Sequence, residues 1–211
     1  MSRPPRDAAP GCTAPVVEVD TTHGRVRGRL ENGLTVFRGI PFAAPPVGDL
    51  RFGAPHPPEP WEVLDAATFG PAPPQPGVAT ASDDARGWLT VNVWTDDVTG
   101  RRPVMVWFYG GGYGSGHSAD PSFDGSALAR EGVVVVTFNY RVGVEGFGVI
   151  EGAPANRGLL DQVAALEWVR DEVAAFGGDP AAVTVSAGPG RPRSRTRPGS
   201  GSPVPSSRSP R

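Results

Sequence analysis

Hydrophobic residues fall into several short runs along the chain, and two of these runs are almost uninterrupted. The stretches "PVMVWFY" (103–109) and "VVVVTF" (133–138) are typical of strands buried on both faces of a sheet. Asn32 and Gly33 form a dipeptide that favours a hairpin turn between two shorter strands. The other predicted strands are residues 16–19, 25–30, 34–37, 88–94 and 183–185.

One long segment and one short segment follow a helical pattern instead. From residue 158 to residue 176 the apolar positions recur at steps of three and four, which predicts a helix with one buried face. Gly177 and Gly178 then favour a left-handed stop. A shorter crossover helix is predicted within residues 122–132. Because strands and helices alternate, the sequence predicts an α/β fold built on a mainly parallel sheet.

Composition divides the chain into regions of different character. Residues 1–14 are rich in Pro, Ala and Arg, and we expect them to be disordered. Residues 41–76 contain eleven prolines, which exclude long helices and predict an irregular surface wrap. Of the 26 residues in the tail, 186–211, 23 are Ser, Pro, Arg or Gly, so the tail is also expected to be disordered. The predicted folded domain is therefore residues 15–185.

The charges are distributed unevenly between the predicted domain and the tail. The 211 residues include 20 basic side chains, all of them Arg, and 22 acidic side chains. Residues 186–211 hold six Arg and no acid, which leaves the first 185 residues with 14 basic and 22 acidic side chains, a net charge of −8. An acidic body argues against nucleic acid as the partner.

Cysteine content and hydropathy limit where the protein is expected to be located and which cofactors it is expected to bind. The lone Cys12 excludes an intrachain disulfide, and no spacing of Cys and His resembles a zinc site, so we expect no metal or cofactor. No apolar run approaches the length that spans a membrane, and the N-terminus lacks the apolar core of a secretory signal. The sequence therefore predicts a cytoplasmic protein with no membrane partner, and it identifies no partner protein.

A glycine-rich loop is the first candidate for chemistry. In "WFYGGGYGSG" (107–116), three consecutive glycines follow a buried strand and can turn backbone N–H groups toward a bound oxygen. Ester hydrolysis needs such donors where negative charge develops on the carbonyl oxygen. A phosphate-binding loop is a poorer fit, since no register matches G-x-G-x-x-G and no Lys completes a P-loop. An ordinary glycine-rich turn remains the alternative.

Six segments in order carry a resemblance to a known family. The segments are "RGIPFAAPPVGDLRF" (38–52), "WLTVNVW" (88–94), "PVMVWFYGGGYGSG" (103–116), "VVVVTFNYRVGVEGF" (133–147), "GLLDQVAALEWVRDEVAAFGGDP" (158–180) and "VTV" (183–185). Together they resemble the type-B carboxylesterases, which include cholinesterases and bacterial para-nitrobenzyl esterases, over about residues 16 to 185.

The resemblance implies a fold, a reaction and roles for several residues. The family has the α/β-hydrolase fold and hydrolyses carboxylic esters with a Ser–Glu/Asp–His triad, so small-molecule esters are the implied substrates. Gly111 and Gly112 match the oxyanion-hole donors, with Tyr109 in place of the commoner His before the glycines. Arg141 and Asp161 match a pair that forms a buried ion bridge in the family, although two separate solvated charges are the alternative.

The nucleophile is where the sequence departs from the family. There, "VTV" is followed by one residue and then by G-E-S-A-G, the sharp turn that carries the catalytic Ser. Matching letters places Ser186 on the nucleophile but requires a deletion of three residues, and the β-branched Thr184 and Val185 then fit the turn poorly. Keeping the spacing places Pro189 there, which has no hydroxyl. The resemblance therefore implies an α/β-hydrolase fold that is truncated after the strand leading to the nucleophile elbow.

The acid and the general base are also missing from the matched segments. In the family both lie further downstream, and His117, which follows the glycine loop, matches no family motif. A change of reading frame near Val185 accounts for the tail, because GC-rich DNA read out of frame tends to encode Arg, Pro, Ser, Gly and Ala. Two interpretations stay open: a carboxylic ester hydrolase by descent whose present chain is inactive, or a non-catalytic hydrolase-like fragment or pseudogene product.

Overall fold

The computed structural model describes residues 15–78 and 87–188. The predicted disordered N-terminus and almost all of the predicted disordered tail lie outside these residues. The described part forms one eight-stranded sheet with helices on both faces. The strands, in chain order, are β1 (Val16–Thr21), β2 (Gly24–Glu31), β3 (Leu34–Pro41), β4 (Val63–Asp65), β5 (Thr90–Thr95), β6 (Arg102–Phe108), β7 (Val134–Phe138) and β8 (Gly178–Ala187).

The sheet is mixed, which corrects the expectation of a mainly parallel sheet. Its order is β1-β2-β3-β5-β7-β6-β8, and β4 adds to β2. The first half is antiparallel because β1, β2 and β3 are joined by tight turns, including the predicted turn at Asn32 and Gly33. Only the pairs β6–β7, β6–β8 and β2–β4 are parallel. The hydrophobic runs of β6 and β7 therefore predicted the parallel part of the sheet correctly. They did not indicate that the strands before them pair in antiparallel fashion.

Three α-helices are present in the described residues: α1 (Ser126–Arg130), α2 (Gly143–Phe147) and α3 (Arg157–Glu172). The long predicted helix is confirmed as α3, continued by a 3₁₀ turn, Val173–Phe176, and ended by Gly177 at φ +80°. The predicted short crossover helix within 122–132 is confirmed as the five-residue α1. A 3₁₀ turn, Pro121–Phe123, precedes it, and Asp120 and Asp124 each accept a bond from the backbone N–H two residues on.

The core divides between the two faces of the sheet because side chains alternate along each strand. On one face, Val104 and Val106 of β6 pack in a large cluster with Trp168 and Val169 of α3. On the other face, Met105 packs against a smaller cluster that lies near α1. The central strand β5 is buried along its whole length, as expected for a strand covered on both sides.

A fully buried ion pair joins the end of β7 to α3. The Arg141 guanidinium donates from Nε and Nη2 to the Asp161 carboxylate at 2.9 and 2.7 Å, and neither side chain is exposed. The third guanidinium nitrogen, Nη1, donates to the carbonyl of Gly53 at 2.7 Å. The expected ion bridge is confirmed, and the alternative of two solvated charges is wrong.

A second buried arginine has a different set of partners. The Arg157 guanidinium is fully buried and donates to the backbone carbonyls of Val144, Glu145, Gly148 and Pro154 at 2.8–3.0 Å. The Glu145 carboxylate binds Arg51 instead, at 2.6 Å.

Strand β8, which contains the predicted strand at residues 183–185, lies at one edge of the described sheet. It pairs with β6 on one side, and no strand within residues 15–78 and 87–188 pairs with its other side. Val185 in this strand is 52% exposed. The strand is much longer than predicted and includes Ser186 and Ala187, two residues beyond the domain boundary drawn from the sequence.

No helix in the described part of the chain is long and apolar enough to cross a membrane.

Candidate active site

A cavity of about 240 Å³ opens where β6 and β8 end. Parallel neighbouring strands deliver their carboxyl ends to the same edge of the sheet, which is where ligands bind in open α/β sheets. The lining combines the glycine loop after β6, the residues that end β8, and single residues from the β7–α2 connection and from α3. The lining residues are Phe108, Tyr109, Gly110, Gly111, Gly112, Tyr113, Tyr140, Gln162, Ala187 and Gly188.

The glycine loop needs glycine for two different reasons. At Gly111, φ is +152° and an added Cβ would lie 1.8 Å from the carbonyl oxygen of Ser115, so no side chain fits. At Gly112, φ is +59° but an added Cβ would meet nothing within 4 Å, so the constraint is the left-handed backbone alone. Among the described residues, neither backbone N–H donates to a partner: no hydrogen bond uses the N–H of Gly111 or Gly112. Gly111 and Gly112 both line the cavity.

Two tyrosines hold the start of this loop. The Tyr109 hydroxyl donates to the Tyr140 carbonyl at 2.9 Å, and the Tyr140 hydroxyl donates to the Tyr109 carbonyl at 3.0 Å. Their rings stack with centroids 4.4 Å apart. Burial raises the pKa of Tyr140 to about 12 and raises the pKa of Tyr109 well above its ordinary value. Both hydroxyls therefore stay protonated near neutral pH and act as fixed donors to the backbone.

Replacing Tyr140 by phenylalanine is expected to destabilise the fold by about 1–3 kcal/mol, because the buried carbonyl of Tyr109 loses its donor. The measurement is urea unfolding followed by circular dichroism. Tyr113→Phe is the matched control, since the Tyr113 side chain is 53% exposed and its hydroxyl makes no hydrogen bond among the described residues. Equal stabilities of the two variants would contradict the role assigned to this pair.

Side-chain amides fix the residues that follow the glycine loop. Gln75 pairs with Gly116 through both of its amide atoms, accepting from the backbone N–H at 2.8 Å and donating to the carbonyl at 2.9 Å. The buried Asn139 accepts from the backbone N–H of Ser118 at 2.8 Å, and the buried Asn92 donates to the Ser118 hydroxyl at 3.1 Å. The loop is thus held at its start by the tyrosine pair and at its end by these amides.

Of the two candidate nucleophile positions, only Ser186 lies within the described residues. Ser186 is half-buried inside β8, where it pairs with Trp107 of β6, and it does not line the cavity. Gly188 does line the cavity: its N–H donates to the Phe108 carbonyl at 3.0 Å, and its Cα faces the loop so closely that an added Cβ would lie 3.6 Å from the nitrogen of Gly110. Pro189, the position that keeps the family spacing, lies outside the described residues.

The three histidines are not brought to this cavity. His117 is half-buried and absent from the lining, whereas His23 and His56 line a different cavity beside α3. The lining of the glycine-loop cavity contains three tyrosines and a glutamine but no Ser, His, Asp or Glu. No group of three or more His, Cys, Asp and Glu side chains in the described part of the chain could hold a metal ion. Among the described residues, the lining therefore combines the backbone of the glycine loop with tyrosine and glutamine side chains.

Sequence reasoning identified the glycine loop but missed the residues that hold it. In the sequence, Tyr109 is notable only as the residue that replaces His before the glycines. Its partner Tyr140 lies 31 residues away, so no local pattern connects the two. Gln75 is an isolated polar residue in "PAPPQPG" (71–77), and that isolation was the one available signal. Gln162, on the predicted helix, gave no signal because the helical pattern marks apolar positions only.

The sheet and the glycine loop at its carboxyl edge define an α/β hydrolase. The sequence profile of the carboxylesterase family matches residues 14–189, and the chain belongs to this family. It is 48% identical over 183 residues to the para-nitrobenzyl esterase of Bacillus subtilis and 46% identical over 202 residues to human carboxylesterase 3. These matches cover 79% and 81% of this chain but 37% and 34% of the relatives.

Solved structures show the same partial correspondence. A carboxylesterase of Geobacillus stearothermophilus superposes with a TM-score of 0.73 at 42% identity, over 81% of this chain and 38% of that protein. The chain thus spans little more than a third of the length of the proteins it resembles.

Proposed function

We propose that this chain is the amino-terminal part of a carboxylic ester hydrolase, with the backbone N–H groups of Gly111 and Gly112 as the oxyanion donors. The observation that supports this proposal is the pair of unused donors in a cavity at the carboxyl edge of β6 and β8. Preorganised donors of this kind stabilise charge as it develops on an ester carbonyl. Small-molecule carboxylic esters are the proposed substrates, and the single Cys12 fits a location in the reducing cytoplasm.

The 211-residue polypeptide itself is proposed to lack hydrolytic activity. Among the described residues, its cavity is lined by the glycine loop but by no Ser, His or carboxylate side chain, so these residues offer a bound ester neither a nucleophile nor a base. Ser186 is held inside a strand, where the sharp turn required of a nucleophile is absent. A non-catalytic, oxygen-binding fragment of the hydrolase fold is therefore the second candidate for this polypeptide.

A chimera tests the proposal. Residues 1–185 of this chain are joined to the part of the Bacillus subtilis para-nitrobenzyl esterase that follows the matching position, and activity is measured on para-nitrophenyl acetate. We expect the chimera to hydrolyse this ester and the 211-residue chain to remain at background. A chimera that is folded by circular dichroism yet inactive would overturn the proposed function. Activity of the 211-residue chain that disappears in Ser186→Ala would overturn the proposed inactivity and assign Ser186 as the nucleophile.

A further inference from the structure

A second and larger cavity, of about 340 Å³, lies beside α3, at a distance in the fold from the glycine loop. It is bounded by the β1–β2 turn, by the proline-rich segment at residues 55–58 and by one side of α3. It shares no lining residue with the glycine-loop cavity. Its volume falls within the range of about 300–1,000 Å³ that is typical of small-molecule sites.

A buried carboxylate lines this cavity. The Glu172 side chain is only 4% exposed, and it accepts hydrogen bonds from the backbone N–H and the hydroxyl of Thr22. The nearest group able to carry positive charge is His23, whose Nδ1 lies 3.7 Å from Glu172 and is charged only when protonated. No Arg within the described residues pairs with Glu172. Both Glu172 oxygens accept hydrogen bonds from Thr22, and the one ionisable partner among the described residues is the His23 imidazole, so no permanently charged cation balances this buried carboxylate.

Further negative charge surrounds the same space. Glu167 and Asp171 also line the cavity, and they lie one turn apart on the exposed surface of α3. Arg170 is bound to Asp171, with its Nε 2.7 Å from the carboxylate, but Arg170 is not part of the lining. Three carboxylates and two imidazoles are therefore the ionisable groups of this cavity, which favours a positively charged occupant.

The remainder of the lining is apolar and rigid. Phe42 and Trp168 contribute aromatic side chains, and both are nearly completely buried. Pro55, Pro57 and Pro58 form the opposite wall, where their fixed backbone angles keep the cavity preformed. Aromatic surface attracts organic cations both by burial and through the ring quadrupole. A bare metal ion does not suit this lining, since no metal-ligand cluster of three His, Cys, Asp or Glu side chains exists among the described residues.

We propose that this cavity binds a small organic cation, a primary ammonium group carried on an apolar body. Glu172 is the counter-ion of the ammonium group, Glu167 and Asp171 add attraction at the rim, and the apolar body lies against Phe42 and Trp168. The site is independent of ester hydrolysis, because its residues all belong to the described fold and none of them lines the glycine-loop cavity.

Binding of 2-phenylethylammonium to the 211-residue chain, measured by isothermal titration calorimetry, tests this site. The neutral 2-phenylethanol is the matched ligand, since it keeps the apolar body and lacks the charge. We expect saturable binding of the ammonium compound that is at least about tenfold tighter than binding of the alcohol, as is typical for a hydrogen bond to a charged partner. Equal affinities, or no binding of the ammonium compound at millimolar concentration, would overturn the proposal.

Two variants connect the binding to Glu172. Glu172→Gln keeps an oxygen acceptor for Thr22 but removes the charge, and we expect it to weaken ammonium binding about tenfold while leaving the alcohol unaffected. Glu151→Gln removes an exposed acid outside the cavity and should leave both affinities unchanged. If Glu172→Gln does not fold, Glu167→Gln, on the exposed surface of α3, provides the second test and should weaken only the ammonium compound. Unchanged ammonium affinity in the folded variant would overturn the role of these carboxylates.

Discussion

Replacing Asp161 by asparagine is expected to destabilise the protein by about 3–5 kcal/mol, because the substitution leaves the Arg141 guanidinium buried without a counter-charge. Asparagine has nearly the shape of aspartate, so the loss reports charge rather than packing. An entire domain of this size is stabilised by only about 5–15 kcal/mol, so a large part of the population should unfold at low urea concentration. Urea unfolding followed by circular dichroism provides the measurement.

The same helix offers the control for this experiment. Asp171 also pairs with an arginine, Arg170, but the Asp171 side chain is 51% exposed and the charges are screened by water. Asp171→Asn should therefore leave the unfolding midpoint almost unchanged. A midpoint for Asp161→Asn that matched that of Asp171→Asn would show that the buried pair is not required for stability.

The second large effect concerns catalysis in the chimera described above. Gly112→Ala is expected to lower kcat by about 10²–10³-fold, the range typical for loss of one oxyanion donor. An added Cβ at Gly112 meets nothing within 4 Å, so the substitution creates no steric clash, and its only backbone cost is the φ of +59°. The methyl group then hinders the approach of the oxygen. Alanine also disfavours the left-handed backbone that sets the direction of the N–H donor. Since the contact strengthens in the transition state, kcat should fall much more than KM rises.

Gly114→Ala is the matched control in the same loop. An added Cβ there would lie no closer than 3.8 Å to another atom, and Gly114 does not line the cavity. Its kcat should stay close to that of the unmodified chimera. Gly111→Ala is a poor probe, because the clash with Ser115 would disturb the loop itself. A change in KM alone for Gly112→Ala would identify the loop as a structural turn, which is the alternative that the sequence left open.

The sequence predicted the positions of strands and of the main helix well, and its errors have physical causes. The strand predicted at residues 183–185 is ten residues long in the structure, although Pro180 lies within it. A proline is tolerated there because β8 is an edge strand and its register with β6 is interrupted between Arg102 and Val104. Local pattern cannot reveal that a proline faces an unpaired edge, since this depends on which strand becomes its neighbour.

The candidate site was predictable only where it depends on local backbone. Three glycines after a buried strand indicate a bent loop regardless of context, and Gly111 and Gly112 do have positive φ. The tyrosine pair joins positions 31 residues apart, and Gln75 joins the loop across 41 residues. Contacts at such separations are set by the order of strands in the sheet, which the alternation of elements alone did not specify.

The four backbone carbonyls that bind Arg157 affect how the segment from residue 144 to residue 154 responds to proteases. Most connecting segments open locally at little cost, and a protease needs such an opening to accommodate an extended peptide. Here four carbonyls from α2 and the following connection bind one guanidinium that is itself anchored at the first turn of α3. Opening the segment at any of these four carbonyls strips a bond from a buried cation, so cleavage at these positions requires α3 to loosen as well.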